Sequence, residues 1–118
     1  MNYYANYTRD NTNLVVPKSE FWEFRDEKKV HRKFVLLDGG SEGFPICIQK
    51  TNNNSYVATL MKCTHRGCEL NVGGGIYTCP CHGSEFSING EVLEGPADVN
   101  LKMYQIKTDD ENIYILNA

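Results

Sequence analysis

The sequence predicts an all-β domain built from antiparallel strands. Short apolar runs recur at regular spacing between turns rich in Gly, Asn and Asp, and no stretch shows the period of an amphipathic helix. The length of 118 residues and an apolar content of 41% fit one domain with one modest core, and leave no room for a second.

Taken in order, residues 1–13 are rich in Asn and Tyr without periodicity and read as an N-terminal arm, so the domain proper is expected over 14–118. Strand texture begins at Leu14-Val15-Val16 and stops at Pro17, which lacks the N–H that a ladder needs. Phe21, Trp22 and Phe24 are expected to pack in the core and at its rim. Mixed charges from Arg25 to Lys33 indicate a solvated hairpin or turn face, with His31 expected on the surface. Phe34 to Leu37 and Phe44 to Lys50 flank a turn at Asp38-Gly39-Gly40; the second run alternates after Pro45 and carries Cys47 as a buried free thiol. A turn at Asn52-Asn53-Asn54 leads into a strand from Tyr56 to Met61. Further on, residues 83–93 read as a hairpin about Asn89-Gly90, and Leu101–Lys107 and Ile113–Leu116 close the domain around Asp109-Asp110-Glu111.

The stretch from Cys63 to Ser84, CTHRGCELNVGGGIYTCPCHGS, gathers four of the five cysteines and two of the three histidines. It offers two short ligand arms, Cys63-x-His65 and Cys79-x-x-His82. Thirteen residues separate His65 from Cys79, enough for a hairpin that returns the second arm beside the first. Two thiolates and two imidazoles suit zinc or an iron–sulfur cluster and suit calcium or magnesium badly. A Cys2His2 zinc site usually opens with a cysteine pair and closes with a histidine pair. One Cys and one His on each arm match instead a cluster whose one iron takes two cysteines and whose other takes two histidines. A structural zinc module is the alternative that these residues leave open. Gly73-Gly74-Gly75 is followed by no Lys-Ser/Thr and is therefore no phosphate loop; it is expected to let the backbone turn sharply and approach the metal.

The boxes CTHRGC and CPCHGS resemble the two cluster-binding boxes of the Rieske iron–sulfur proteins. That resemblance implies a Rieske-type antiparallel β-sandwich or barrel with a small cluster-binding subdomain over about residues 62–98. It also implies a [2Fe-2S] cluster with Cys63 and Cys79 on one iron and His65 and His82 on the other. Cys68 and Cys81 stand where the Rieske subunits of quinol-oxidising complexes form a disulfide between the ligand loops. Closing the chain between them contributes roughly 3 kcal/mol in chain-entropy terms. Gly95-Pro96-Ala97 is similar to the proline loop that covers a third side of the cluster, and Ser84 matches the serine that donates to a cluster sulfide. Two positions depart from the quinol-oxidising pattern. Phe86 replaces a tyrosine whose hydroxyl donates to a ligand sulfur, and Arg66 replaces an apolar residue beside the exposed histidine. Both resemble the ferredoxin and oxygenase branches.

A formal net charge of −3 argues against nucleic acid, whose phosphates demand a basic face. No run of 18 apolar residues is present, so contact with a membrane is expected only through a segment outside this chain. A disulfide persists best outside the reducing cytosol, which gives an extracytoplasmic location, periplasmic or membrane-attached and facing outward. The expected function is one-electron transfer to redox partner proteins, such as a c-type cytochrome or a membrane cytochrome complex, either free-standing or as a subunit of a larger oxidoreductase. A ferredoxin-like donor to an oxygenase system is the alternative. No nucleophile–base constellation suggests catalysis by this domain alone.

Overall fold

The computed structural model describes residues 2–118 and contains no α-helix among them. Fourteen strands run in chain order: β1 Thr8–Asp10, β2 Asn13–Pro17, β3 Trp22–Arg25, β4 Lys28–His31, β5 Phe34–Leu37, β6 Ile46–Lys50, β7 Tyr56–Leu60, β8 Asn71–Gly73, β9 Ile76–Thr78, β10 Glu85–Ser87, β11 Val92–Glu94, β12 Met103–Tyr104, β13 Ile106–Thr108 and β14 Asn112–Ile115. They pair antiparallel into sheets ordered β1-β2-β14-β13, β12-β7-β6-β5 and β11-β10-β9-β8, with β3-β4 as a separate hairpin. Among the described residues no helix is long and apolar enough to cross a membrane.

The middle sheet organises the molecule because both of its faces are buried. Successive side chains of a strand point to opposite faces, and here each face meets its own core. Val35 and Leu37 of β5, Ile46 and Ile48 of β6, and Ala58 and Leu60 of β7 pack with Leu14, Val16, Ile113 and Ile115 of the first sheet. The intervening Leu36 and Cys47, with Met61 just past β7, pack on the other side with Tyr77, Phe86, Leu101, Cys63 and Cys79. Burying each aliphatic side chain contributes about 1.5–3 kcal/mol, so both interfaces hold substantial apolar area. The result is three layers: an outer sheet, the shared sheet, and the small sheet that carries the ligand loops.

Several sequence expectations are corrected. The N-terminal arm has pairing of its own: Thr8–Asp10 pairs with Asn13, Leu14 and Val15, Tyr4 bridges Leu36, and Ala5 is buried. Met1 lies outside the described residues. Of the three aromatics expected to pack, only Phe21 is buried, while Trp22 is 41% and Phe24 75% exposed on β3. His31 is half-buried, its ring stacked 5.2 Å from Phe21 and edge-on to Trp22 at 4.7 Å. Burial lowers its pKa. The run Ile46–Gln49 is buried at every position, not on one face.

Candidate iron–sulfur site

Two loops carry the six residues singled out as ligands and clamp, and the two loops share one backbone pattern. Strand β7 ends at Leu60, and Met61, in the second core, is followed two residues later by Cys63 on the same side. The Cys63 N–H donates to the Cys68 carbonyl at 2.8 Å, and its carbonyl accepts from Gly67 N–H at 2.8 Å. In the second loop Cys79 N–H donates to the Ser84 carbonyl at 2.8 Å, and its carbonyl accepts from Gly83 N–H at 3.0 Å. Each loop therefore closes from a cysteine to the fifth residue on, with a glycine at the fourth. Gly67 and Gly83 take φ of +74° and +82°, a left-handed conformation that costs glycine little and other residues more. The repeated turn explains why CTHRGC and CPCHGS each need their glycine.

This geometry brings the predicted residues together. Cys63 and Cys79 are free thiols, 1% and 4% exposed. Burial pushes the Cys63 thiol up, while the backbone N–H groups of His65 and Arg66 aimed at it act in the opposite direction. The rings of His65 and His82 stand 5.2 Å apart at 85°. His65 Nδ1 is buried with no hydrogen-bond partner, an orphaned ring nitrogen of the kind that a metal satisfies. Among the described residues, no three of Cys63, His65, Cys79 and His82 bring their ligand atoms within 4.8 Å of one another. Ligands on one tetrahedral zinc lie about 3.3–3.8 Å apart by its bond lengths. The wider spread fits a two-iron cluster better than a single ion.

Cys68 and Cys81 form a disulfide that ties the two loops, with Cys68 half-buried and Cys81 exposed. Ser84 is fully buried, and its Oγ accepts the Ala97 N–H at 2.9 Å, which leaves the hydroxyl proton free. The same bond holds the Gly95–Ala97 loop against the second ligand loop, with Ala97 4% exposed and Pro96 exposed beside it. Phe86 is fully buried in the core that contains Cys79, and Arg66 is exposed one residue beyond His65. Gly73-Gly74-Gly75 makes the expected sharp turn: it forms the exposed connection between β8 and β9, with Gly74 and Gly75 at φ of +62° and +80°.

Sequence reasoning missed two groups. Thr64 donates its hydroxyl to the Val99 carbonyl and so ties the first ligand loop to the segment after Ala97. Tyr77 reaches from β9 into the shared sheet, fully buried, where Gln49 Nε2 donates to its hydroxyl at 2.9 Å and Cys47 lies within hydrogen-bond reach. The signal for Tyr77 was available: it precedes Cys79 by two residues, the spacing of one strand face. Burial pushes the Cys47 thiol up to about 12.

Residues 14–105 match the family model described as the Rieske [2Fe-2S] domain. The chain belongs to that family. Its cofactor is a [2Fe-2S] cluster, and its function is one-electron transfer through that cluster. Among curated relatives it is 29% identical over 110 residues to the cytochrome b6-f complex iron–sulfur subunit of Chlorobaculum thiosulfatiphilum, covering 88% of this chain and 61% of that protein. It is 46% identical over 55 residues to the subunit of the same name from Prochlorococcus marinus, covering 45% of this chain and 31% of that protein. The chain thus spans between about a third and three fifths of these relatives. Among solved structures, the plasma membrane Rieske protein of the cyanobacterium Synechocystis PCC 6803 superposes with a TM-score of 0.61 at 35% identity, over 70% of this chain and 86% of that one. A carbazole 1,9a-dioxygenase ferredoxin–oxygenase complex gives 0.57 at 19% identity, over 72% and 81%, a likeness of fold alone.

Proposed function

We propose that Cys63 and Cys79 hold one iron of the cluster and His65 and His82 the other, that the domain is fixed on the outer side of a membrane, and that it exchanges electrons with a membrane cytochrome complex. The observation that carries the ligand assignment is the pair of matching turns, each presenting one buried thiol and one imidazole toward a shared volume. A [2Fe-2S] cluster bound there supplies a one-electron couple, raised into the range of about −150 to +300 mV by neutral imidazole ligation. The protein's own residues set the rest. Cys63 and Cys79 form the buried end, so His65, half-buried, and His82, exposed, form the end that a partner meets. Ser84 has a hydroxyl proton to give, and Phe86 has none.

The cytochrome complex is supported by the b6-f subunits among the relatives and by the Cys68–Cys81 disulfide. Such a bond is rare in reducing compartments, which supports an outward-facing location as well. The oxygenase-donor reading draws on Arg66 and Phe86 alone and is the less favoured. The test of the ligand set is chemical. Purified protein should hold two irons and two acid-labile sulfides per chain. Cys63→Ser and His82→Ala should each lose both, with the visible absorption and the low-temperature EPR signal of the reduced cluster. A variant of either that keeps a full complement of iron and sulfide refutes the assignment at that position.

A further inference from the structure

The sulfur of Cys79 has a second neighbour besides the cluster. Its Sγ and those of Cys68 and Cys81 all lie within 4.8 Å of one another, and the latter two are joined as the disulfide. Three sulfurs so close, two bonded and one a free thiol, are the reactants of thiol–disulfide exchange, which proceeds by thiolate attack on a disulfide sulfur. We propose that Cys79 is a site of intramolecular disulfide exchange: when it is not held by iron, it attacks Cys68 Sγ, forms a Cys68–Cys79 disulfide and releases Cys81 as a thiolate.

The choice of Cys68 as the sulfur attacked follows from the surroundings. Attack on Cys81 would join residues 79 and 81 through Pro80 in a three-residue loop, which is strained because proline fixes the backbone between them. Attack on Cys68 joins residues separated by 11 positions in place of 13. The closure entropy depends on the logarithm of loop length and is almost unchanged. The leaving thiolate also has a favourable destination, since Cys81 is exposed to water while Cys68 and Cys79 both belong to the packed core around the ligand loops. The reaction balances without an outside oxidant or reductant. One S–S bond breaks and one forms, the Cys79 proton goes to solvent, and the Cys81 thiolate takes one from it. Before and after, the chain holds one disulfide and three free thiols, of which Cys47 and Cys63 are buried and unchanged by the step.

The consequence for the cofactor is that losing the cluster converts one of its ligands into half of a disulfide. The exchanged pairing then slows reloading, because the Cys81 thiolate must first attack Cys68 and release Cys79 before iron can bind it. This rests on Cys79 being an iron ligand, and that assumption is tested separately by the loaded protein. If Cys79 does not bind iron, the exchanged pairing will be present before any iron is removed.

The test uses the full chain. Loaded protein is stripped of iron by a chelator at pH 8, anaerobically and without reductant, and sampled over time. Each sample is denatured in acid with N-ethylmaleimide, then reduced and labelled with iodoacetamide, and fragment ions locate each label. The expected result is a maleimide label on Cys79 at zero time that declines as one appears on Cys81, with Cys68 iodoacetamide-labelled throughout. Reconstitution with ferrous iron and sulfide should recover the visible spectrum several-fold faster after treatment with a dithiol than without it. In the Cys68→Ser/Cys81→Ser variant, which has no disulfide to attack, reloading should be equally fast with and without dithiol. Persistence of the maleimide label on Cys79 after hours without iron overturns the proposal, as does reloading of the wild-type chain at the same rate with and without dithiol.

Discussion

Removing the clamp should lower stability by an amount that the chain itself fixes. The disulfide closes a loop between residues 13 positions apart, and chain-entropy arithmetic for that loop gives about 3 kcal/mol at 25 °C. Unfolding entropy runs near 2.1 cal/mol/K per residue, or about 0.25 kcal/mol/K for a chain of 118 residues. Dividing the two puts the loss of Tm at about 12 °C for the Cys68→Ser/Cys81→Ser variant. Serine is the apt replacement because Cys81 is exposed and Cys68 only half-buried, so neither hydroxyl is forced into a dry core. The assay is thermal unfolding at one fixed scan rate, following visible cluster absorption and far-ultraviolet dichroism together. Wild-type protein scanned in a dithiol reductant should match the double-serine variant if the bond is the cause. A fall of less than about 4 °C in the variant, with cluster content equal to wild type at the start, would refute the view that the clamp acts by restricting the unfolded chain.

Two further predictions concern donors to the cluster and the buried thiol. Ser84→Ala removes the hydroxyl proton that the Ala97 N–H leaves free, and Phe86→Tyr adds a hydroxyl within the core that holds Cys79. At about 1 kcal/mol per net hydrogen bond, the potential should fall in the first and rise in the second by roughly 40 mV, read by potentiometric titration; no change in either removes the corresponding donor. Cys47, pushed up to about 12 by burial, keeps its proton in the folded chain at a pH where the unfolded chain has lost it. The unfolded state then binds fewer protons, so its contribution to stability is complete below about pH 9 and falls by about 1.4 kcal/mol per unit between there and about pH 12. Denaturant titrations at pH 8 and 10.5 should differ by about 2 kcal/mol from this source, and Cys47→Ala should reduce the difference by that amount.

What the sequence revealed and what it hid divide along sequence distance. Each ligand loop is closed by hydrogen bonds spanning four and five residues, from Cys63 to Gly67 and Cys68 and from Cys79 to Gly83 and Ser84. The spacing of the two boxes is therefore a nearly direct image of the turns they form. The N-terminal strand was hidden because Thr8–Asp10 has no apolar face; it is a strand only because β2, itself paired to β14 from the far end of the chain, presents an edge to it. His31 was misplaced for a similar reason, since what half-buries it is Phe21 and Trp22 across a hairpin whose own residues are mostly charged. Strand β6 lies between these cases. Its sequence, Ile46-Cys47-Ile48-Gln49-Lys50, shows apolar residues at successive positions, the pattern of a strand covered on both faces. Read that way, it announces a second layer over the middle sheet, and Cys47 with Gln49 marks where that layer rests. Tyr77 completes the contact from the other side, two residues before Cys79. The ligand loops are thus specified locally, but their seating on the rest of the molecule depends on a polar contact buried between two sheets. A Gln49→Leu substitution should separate the two: it leaves both boxes untouched and deprives the Tyr77 hydroxyl of its donor, at a cost of about 1–3 kcal/mol. Stability should fall while iron and sulfide content stay full. A variant that instead fails to retain its cluster at 25 °C would show that the seating, and not the boxes alone, decides whether the site forms.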